Sequence, residues 1–185
     1  LSNIFEKIGM EIFKIDSLDV HGGSNRIYVK IKSNSSIEID ESVADSIQEE
    51  KIAGLDRLST YFNFANKVKK SRKDLVSLLK DLKRQGKKIV SYGATSKSTT
   101  VFNYCQITPE IIDYIVDITP SKQGKVSPGV HIPVLKYDTM FDDSVDVAFL
   151  GAWNYLEEIS KKEDDFLQRG GVFITHVPYV RKVNK

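Results

Sequence analysis

Lys97 stands in the run Val90 to Cys105, which reads Val-Ser-Tyr-Gly-Ala-Thr-Ser-Lys-Ser-Thr-Thr-Val-Phe-Asn-Tyr-Cys. An apolar strand passes into small and hydroxyl residues and then into a helix. Such a junction turns backbone N–H groups outward, allows close approach over Gly93 and adds an ammonium, so its chemistry suits a phosphate. Two readings stay open on these residues alone. One glycine is not the three-glycine dinucleotide fingerprint, and hydroxyl residues are ordinary helix caps. Further on, Asp117 ends a second apolar strand ahead of Thr-Pro-Ser-Lys-Gln-Gly-Lys, bringing Lys122 and Lys125 as candidate second cations. An acid there can hold a ribose hydroxyl or cap the Pro120–Gly124 turn. The third chemical candidate is His21 in His21-Gly22-Gly23-Ser24; taken alone, these residues favour a plain turn between two strands.

The elements that would carry these residues follow from periodicity. Leu1, Ile4, Phe5 and Ile8 fall at helical spacing before Gly9, so Leu1 to Ile8 is expected to end a helix. Met10 to Ile15 and Arg26 to Lys32 read as strands around a turn over Asp16–Ser24, with a short strand at Ile37–Ile39. Asp40 or Ser42 caps a helix to about Ala53. From Leu55 to Gln85 the apolar residues keep helical spacing, with a break expected near Asn63 and an end at Gly86. Strands over 88–92, 112–117, 132–135, 145–151 and 172–176 then alternate with helices over 97–105 and 154–168. Strands separated by helices imply a parallel sheet covered on both faces. Ligands of such sheets bind at the carboxyl ends of the strands, which predicts that Gly93–Lys97, Asp117–Lys125 and Gly151–Asn154 share one rim.

Composition sets limits on function. The 185 residues are 41% hydrophobic and 28% charged with a net charge of +2, as in a soluble globular protein with its own core. Near-balanced charge, and the lack of a basic run interleaved with aromatics, argue against nucleic acid as a partner. Lys67, Lys69, Lys70, Arg72 and Lys73 read as a solvated helix face. No apolar run reaches the length of a membrane span and nothing resembles a signal peptide, so the expected setting is cytoplasmic, with no membrane partner. The single Cys105 reads as a small core residue, and no residues have metal-ligand spacing with it, His131 or His176. The chain starts at Leu1 inside an apparent helix, which reads as a piece of a longer protein.

Four segments, Tyr92–Cys105, Val116–Val134, Ala152–Tyr155 and Gly170–Ile174, resemble in order and spacing the C-terminal domain of class I S-adenosylmethionine-dependent C-methyltransferases, which include enzymes acting on nucleotide-linked keto-sugars. His21 to Tyr28 is similar to the His-Gly-Gly-Ser segment of that family. The resemblance implies an α/β, Rossmann-like, mainly parallel sheet with helices on both faces (88–185), a helical linker (40–87) and a C-terminal remnant of the donor-binding domain (1–39). It implies a nucleotide-sugar or similar keto substrate, held by Tyr92, Gly93, Ala94, Thr95, Ser96, Lys97, Ser98, Asn103, Asp117, Lys122, Lys125, Trp153 and Asn154. S-adenosylmethionine would bind largely outside this chain, and family members carry zinc-ligand cysteines in an N-terminal region. Piece and donor domain being separate, the chain alone is expected to be inactive.

Methyl transfer to carbon next to a ketone needs a base, and histidine, with an ordinary pKa of about 6.5, suits that task. The resemblance makes His21 that base. Relatives acting on sugars can carry a tyrosine and a glutamate where this chain has Leu18 and Val20. Arg26 and Tyr28 lie on a strand whose alternation points them outward as readily as inward, and Trp153 reads equally as pocket wall or core. Two further classes of function are open: a non-catalytic nucleotide-binding module, and an oligomerisation element built on the Leu55–Gln85 helix.

Overall fold

A computed structural model describes residues 1–138 and 144–185. The chain divides into two compact units, Leu1–Ala65 and Asn66–Lys185. The helical segment set apart at 40–87 in the sequence is shared between them.

In the first unit a short helix α1 (Ser2–Lys7) precedes an antiparallel pair, β1 (Met10–Leu18) and β2 (Ser24–Ile31). The pair is longer than its apolar alternation predicts, and its register shifts between Ile12 and Lys14, which bends the ladder. Helix α2 (Glu41–Ile52) begins at Asp40, whose carboxylate accepts from Ser42 N–H at 2.9 Å. The Asp40 N–H to Phe13 carbonyl bond (2.8 Å) and the Ile15 N–H to Ser42 hydroxyl bond (3.1 Å) tie this start to β1. The short strand expected at Ile37–Ile39 does not form. Lys30 instead donates to the carbonyls of Asn34 and Ile37, so side-chain bonds satisfy a loop that has no ladder partner.

Helix α3 (Leu58–Arg84) runs unbroken through Asn63, correcting the expected interruption. Asparagine carries only a small helical penalty, too small to interrupt a 27-residue helix. In the second unit α3 leads into β3 (Ile89–Tyr92), α4 (Ser96–Cys105), β4 (Tyr114–Asp117), β5 (Val134–Lys136) and β6 (Val147–Leu150). A 3₁₀ turn (Trp153–Tyr155), α5 (Leu156–Lys162), α6 (Asp164–Gln168), β7 (Val172–Thr175) and β8 (Arg181–Val183) complete it. The helix predicted over 154–168 is thus three short pieces. Buried Glu163 sits at the α5–α6 break, where its side chain is held by tyrosines of the sheet side.

The sheet order is β5-β4-β3-β6-β7-β8, parallel except for β8, an edge strand absent from the sequence reading. Its apolar residues alternate between two cores. Ile89, Ile115, Val147, Phe149 and Ile174 pack with Leu75, Leu79 and Leu82 of α3 and Phe102 of α4, while Val90, Val116, Ala148, Leu150 and Phe173 pack with Ile159, Phe166 and Leu167 on the other face. Each such large side chain, fully buried, stabilises by about 1.5–3 kcal/mol. The result is the Rossmann-like α/β architecture, and the chain order reverses direction between β3 and β6, where such sheets open a crevice at their carboxyl edge. Among the described residues no helix is long and apolar enough to cross a membrane.

Candidate functional site

Three loops meet at the carboxyl edge of β3, β4 and β6. Gly93, with φ of 87°, turns the chain out of β3 in a conformation that favours glycine. Its N–H donates back to the Val116 carbonyl at 2.8 Å, and the next N–H, of Ala94, donates to Asp117 Oδ2 at 2.8 Å. Asp117 Oδ1 accepts from Thr119 N–H at 2.8 Å, and Lys122 Nζ reaches both Asp117 Oδ2 (3.1 Å) and the Ala94 carbonyl (2.9 Å). Asp117 therefore braces the loop and caps the turn, with only 7% of its side chain exposed. Burial alone would push its carboxyl up, but the bonds from Thr119, Lys122 and Ala94 outweigh that and hold it below the ordinary carboxylate range.

The start of α4 is closed by a reciprocal cap. Thr95 Oγ1 accepts from Ser98 N–H and Ser98 Oγ accepts from Thr95 N–H, each at 3.0 Å. Much of the loop's polar chemistry is thus spent on its own shape. Of the amides expected to face a ligand, those of Ala94, Thr95 and Ser98 are taken, and Ser98 is buried. Among the described residues, those of Ser96 and Lys97 have no hydrogen-bond acceptor and remain at the helix mouth.

Lys97 joins the loop to the third segment. Its Nζ donates to Asn154 Oδ1 at 3.0 Å and lies 5.9 Å from the centre of the Trp153 ring. Among the described residues no carboxylate pairs with it, in contrast to Lys122, whose charge Asp117 offsets. A half-buried ammonium held by an amide oxygen and an aromatic face keeps its charge available for an anion. The close fit at Gly151 brings the same loops together: a Cβ there would lie 2.7 Å from Ser98 Cβ.

Other sequence candidates lie elsewhere. Tyr92 turns its hydroxyl onto Glu163 Oε1 at 2.8 Å, and Tyr137 donates to the same oxygen. Burial, reinforced by the bond to Glu163, raises the Tyr92 phenol well above its ordinary range, so it remains a proton donor. Glu163 is 2% exposed, and the sequence marks it only as one residue of the helix expected over 154–168. Asn103 donates to the carbonyls of Thr99 and Pro128, both at 2.9 Å, and packs so tightly on Gly129 that a Cβ there would meet its Oδ1 at 1.9 Å; it anchors the 127–131 turn. Lys125 is exposed and contributes its backbone to Val134. Cys105 is a buried core residue whose thiol burial pushes up. His131, at φ 59°, is exposed in the 127–131 turn, while His176 stacks on Phe149 with centroids 5.5 Å apart.

In the first unit His21 occupies the tip of the β1–β2 hairpin. His21, Gly22 and Gly23 take successive φ values of 56°, 88° and 109°. Gly23 N–H and Ser24 Oγ both donate to the Val20 carbonyl, at 3.0 and 3.2 Å, closing the turn. The segment is a turn, and its geometry leaves the imidazole exposed. Positive φ is uncommon for a residue with a side chain, but histidine adopts it more readily than most, and the tight hairpin turn requires it here. Arg26 is exposed, while Tyr28 donates to Asp16 Oδ2 at 2.8 Å and so belongs to the hairpin's own face.

The described residues do not fit S-adenosylmethionine. That donor lacks phosphate and needs a free acid for its ribose, yet the acid at the end of β4 is consumed by Ala94, Thr119 and Lys122. The Gly22–Gly23 pair lies between antiparallel strands rather than between a strand and a helix. Nor is there, among the described residues, a group of three His, Cys, Asp or Glu side chains able to hold a metal ion such as zinc.

A curated relative, the C-methyltransferase NovU of Streptomyces niveus, is 31% identical over 184 residues, an alignment that takes in 100% of this chain and 44% of that protein. The chain therefore spans less than half the length of the relative it matches. Residues 19–178 match the C-methyltransferase C-terminal domain, a span that runs from the His21 hairpin through the whole Lys97 rim, and the chain belongs to that family.

Proposed function

We propose that this chain is the substrate-holding part of a methyltransferase that transfers the methyl group of S-adenosylmethionine to carbon of a nucleotide-linked keto-sugar or similar keto compound. The observation that carries this reading is Lys97: an ammonium without a carboxylate partner among the described residues, at a helix mouth where the Ser96 and Lys97 amides have no acceptor among those residues, in a chain of this family. The diphosphate of the substrate sits against those groups, with Asn154 and Trp153 steering the ammonium. Asp117 and Lys122 hold the loop in shape rather than contacting the ligand. The donor is bound by residues other than these 185.

His21 is the general base in the complete enzyme. Its exposed position on a hairpin tip, beside two glycines that keep the backbone open, supports a proton-abstracting role. An NAD-responsive module is the poorer reading, because the sequence lacks the three-glycine dinucleotide fingerprint.

Calorimetric titration with nucleoside diphosphates and nucleotide-sugars tests the substrate half. Binding in the micromolar to millimolar range is expected for this chain. Heat-silent titrations at millimolar ligand, in this chain and in the complete enzyme alike, would refute it.

A further inference from the structure

We infer that the basic groove between α3 and α4 receives helix α2 of a second copy of this chain. The groove has a volume of about 600 Å³ and is lined by Lys69, Arg72, Lys73, Val76 and Lys80 of α3 and by Tyr104 of α4. Among the described residues that line it none is acidic.

These cations are not neutralised from within the helix. The two carboxylates of α3 are taken by cations outside the groove, Asp74 by Lys70 and Asp81 by Arg84. Among the described residues no carboxylate pairs with Lys69, Lys73 or Lys80. Lys69 and Lys73 stand one turn apart, a like-charge spacing that costs stability in a helix left alone. The Arg72 guanidinium lies 5.3 Å from the centre of the Tyr104 ring, which holds it in place without cancelling its charge.

The complementary face is on α2. Glu41, Asp45 and Glu49 are exposed, fall four residues apart and share one side of that helix, and none of them has an ion-pair partner among the described residues. Glu49 lies in the last turn, where the helix dipole favours a cation instead. Ile52 follows three residues on, along the same side, and is 77% exposed. The spacings of the two helices agree. Four and three residues separate Asp45, Glu49 and Ile52, and four and three separate Lys69, Lys73 and Val76. Laid parallel, α2 sets Asp45 level with Lys69, Glu49 with Lys73 and Ile52 with Val76, over about 10 Å of helix. With a net charge of only +2, two copies hardly repel as wholes, while these two faces attract. An acidic helix with an apolar residue in register fits the groove better than an anionic membrane, whose charges have no fixed spacing.

A contact between two helix faces is small, so association should be weak, with a Kd of about 0.01–1 mM. Sedimentation equilibrium of the 185-residue chain should show a mass above the monomer at about 50 mM sodium chloride and an affinity about tenfold lower, or less, at about 500 mM. Lys69→Glu with Lys73→Glu should leave the chain monomeric at low salt, as should Asp45→Lys with Glu49→Lys. Each double variant presents two faces of like sign, and each changes only exposed residues, so the fold is retained. Mixed together, the two variants offer both complementary pairings and should associate again, a rescue that a contact within one chain could not produce. Three results would overturn the inference: an unmodified chain still monomeric at about 1 mM in low salt, association that survives both double variants, or a mixture of the variants that stays monomeric. In the first case, retention on anionic vesicles that depends on Lys69 and Lys73 would assign the groove to a membrane surface.

Discussion

Asp117→Ala removes the acceptor of two backbone N–H groups and one ammonium in a single step. The carboxylate accepts from Ala94 N–H and Thr119 N–H, each at 2.8 Å, and from Lys122 Nζ at 3.1 Å. A hydrogen bond to a charged group contributes about 1.5–3 kcal/mol net. The Lys122 side chain is 43% exposed, so its ion pair adds at most about 1 kcal/mol after solvent screening. Partial hydration of the freed N–H groups offsets some of the loss, leaving an expected destabilisation of about 3–5 kcal/mol in urea unfolding at neutral pH. For a unit of this size that corresponds to a fall in Tm of roughly 10–20 °C. The pH dependence sharpens the test. Because the folded carboxyl is held below its ordinary value, its contribution is complete above the unfolded pKa of about 3.9 and is lost as pH falls through the lower folded value. The gap between the unmodified chain and Asp117→Ala should therefore be constant near neutrality and shrink below about pH 4. A loss under about 1 kcal/mol, or a gap that does not narrow in acid, would refute the bracing role.

Three further perturbations separate the roles assigned above. His21→Ala in the complete enzyme should lower turnover by about a hundredfold or more, as removal of a general base does, with unchanged ligand binding by this chain; steady-state kinetics at saturating substrate reads it. Lys97→Ala should raise the substrate KM with a smaller effect on turnover, since a phosphate contact remote from the reacting carbon is largely uniform binding; equal falls in kcat and kcat/KM would contradict it. Gly151→Ala forces a Cβ to 2.7 Å from Ser98 Cβ and 3.3 Å from Ser98 Cα, a collision with helix backbone that side-chain motion cannot relieve. It should cost about 1–3 kcal/mol in urea unfolding and weaken nucleoside diphosphate binding, and unfolding indistinguishable from the parent would show that the loops have slack.

How much of the molecule is legible in its sequence depends on how far each signal reaches. The alternation of apolar strands with helices is local, and it is enough for the Rossmann-like sheet and for placing three loops at one edge. Bonds between distant segments have no local signature. Nothing in Val-Asp-Ile-Thr distinguishes an acid that awaits a ribose from one that accepts Ala94 N–H across 23 residues. The same blindness hides Glu163, whose partners Tyr92 and Tyr137 lie 71 and 26 residues away, and β8, whose Arg-Lys-Val pairs with β7 although only Val183 is apolar. One consequence is specific to the site. Counting hydroxyls and amides in Gly93–Ser98 overstates the ligand-binding capacity of the loop, because a capping box and an acid brace consume most of them. What is left, two amides, the Ser96 hydroxyl and one ammonium without a carboxylate among the described residues, is a smaller set of groups but a more discriminating one. A rigid loop with few free donors loses little conformational entropy on binding, so its affinity should depend steeply on Lys97 and hardly at all on the hydroxyls of Thr95 and Ser98, which already serve the fold.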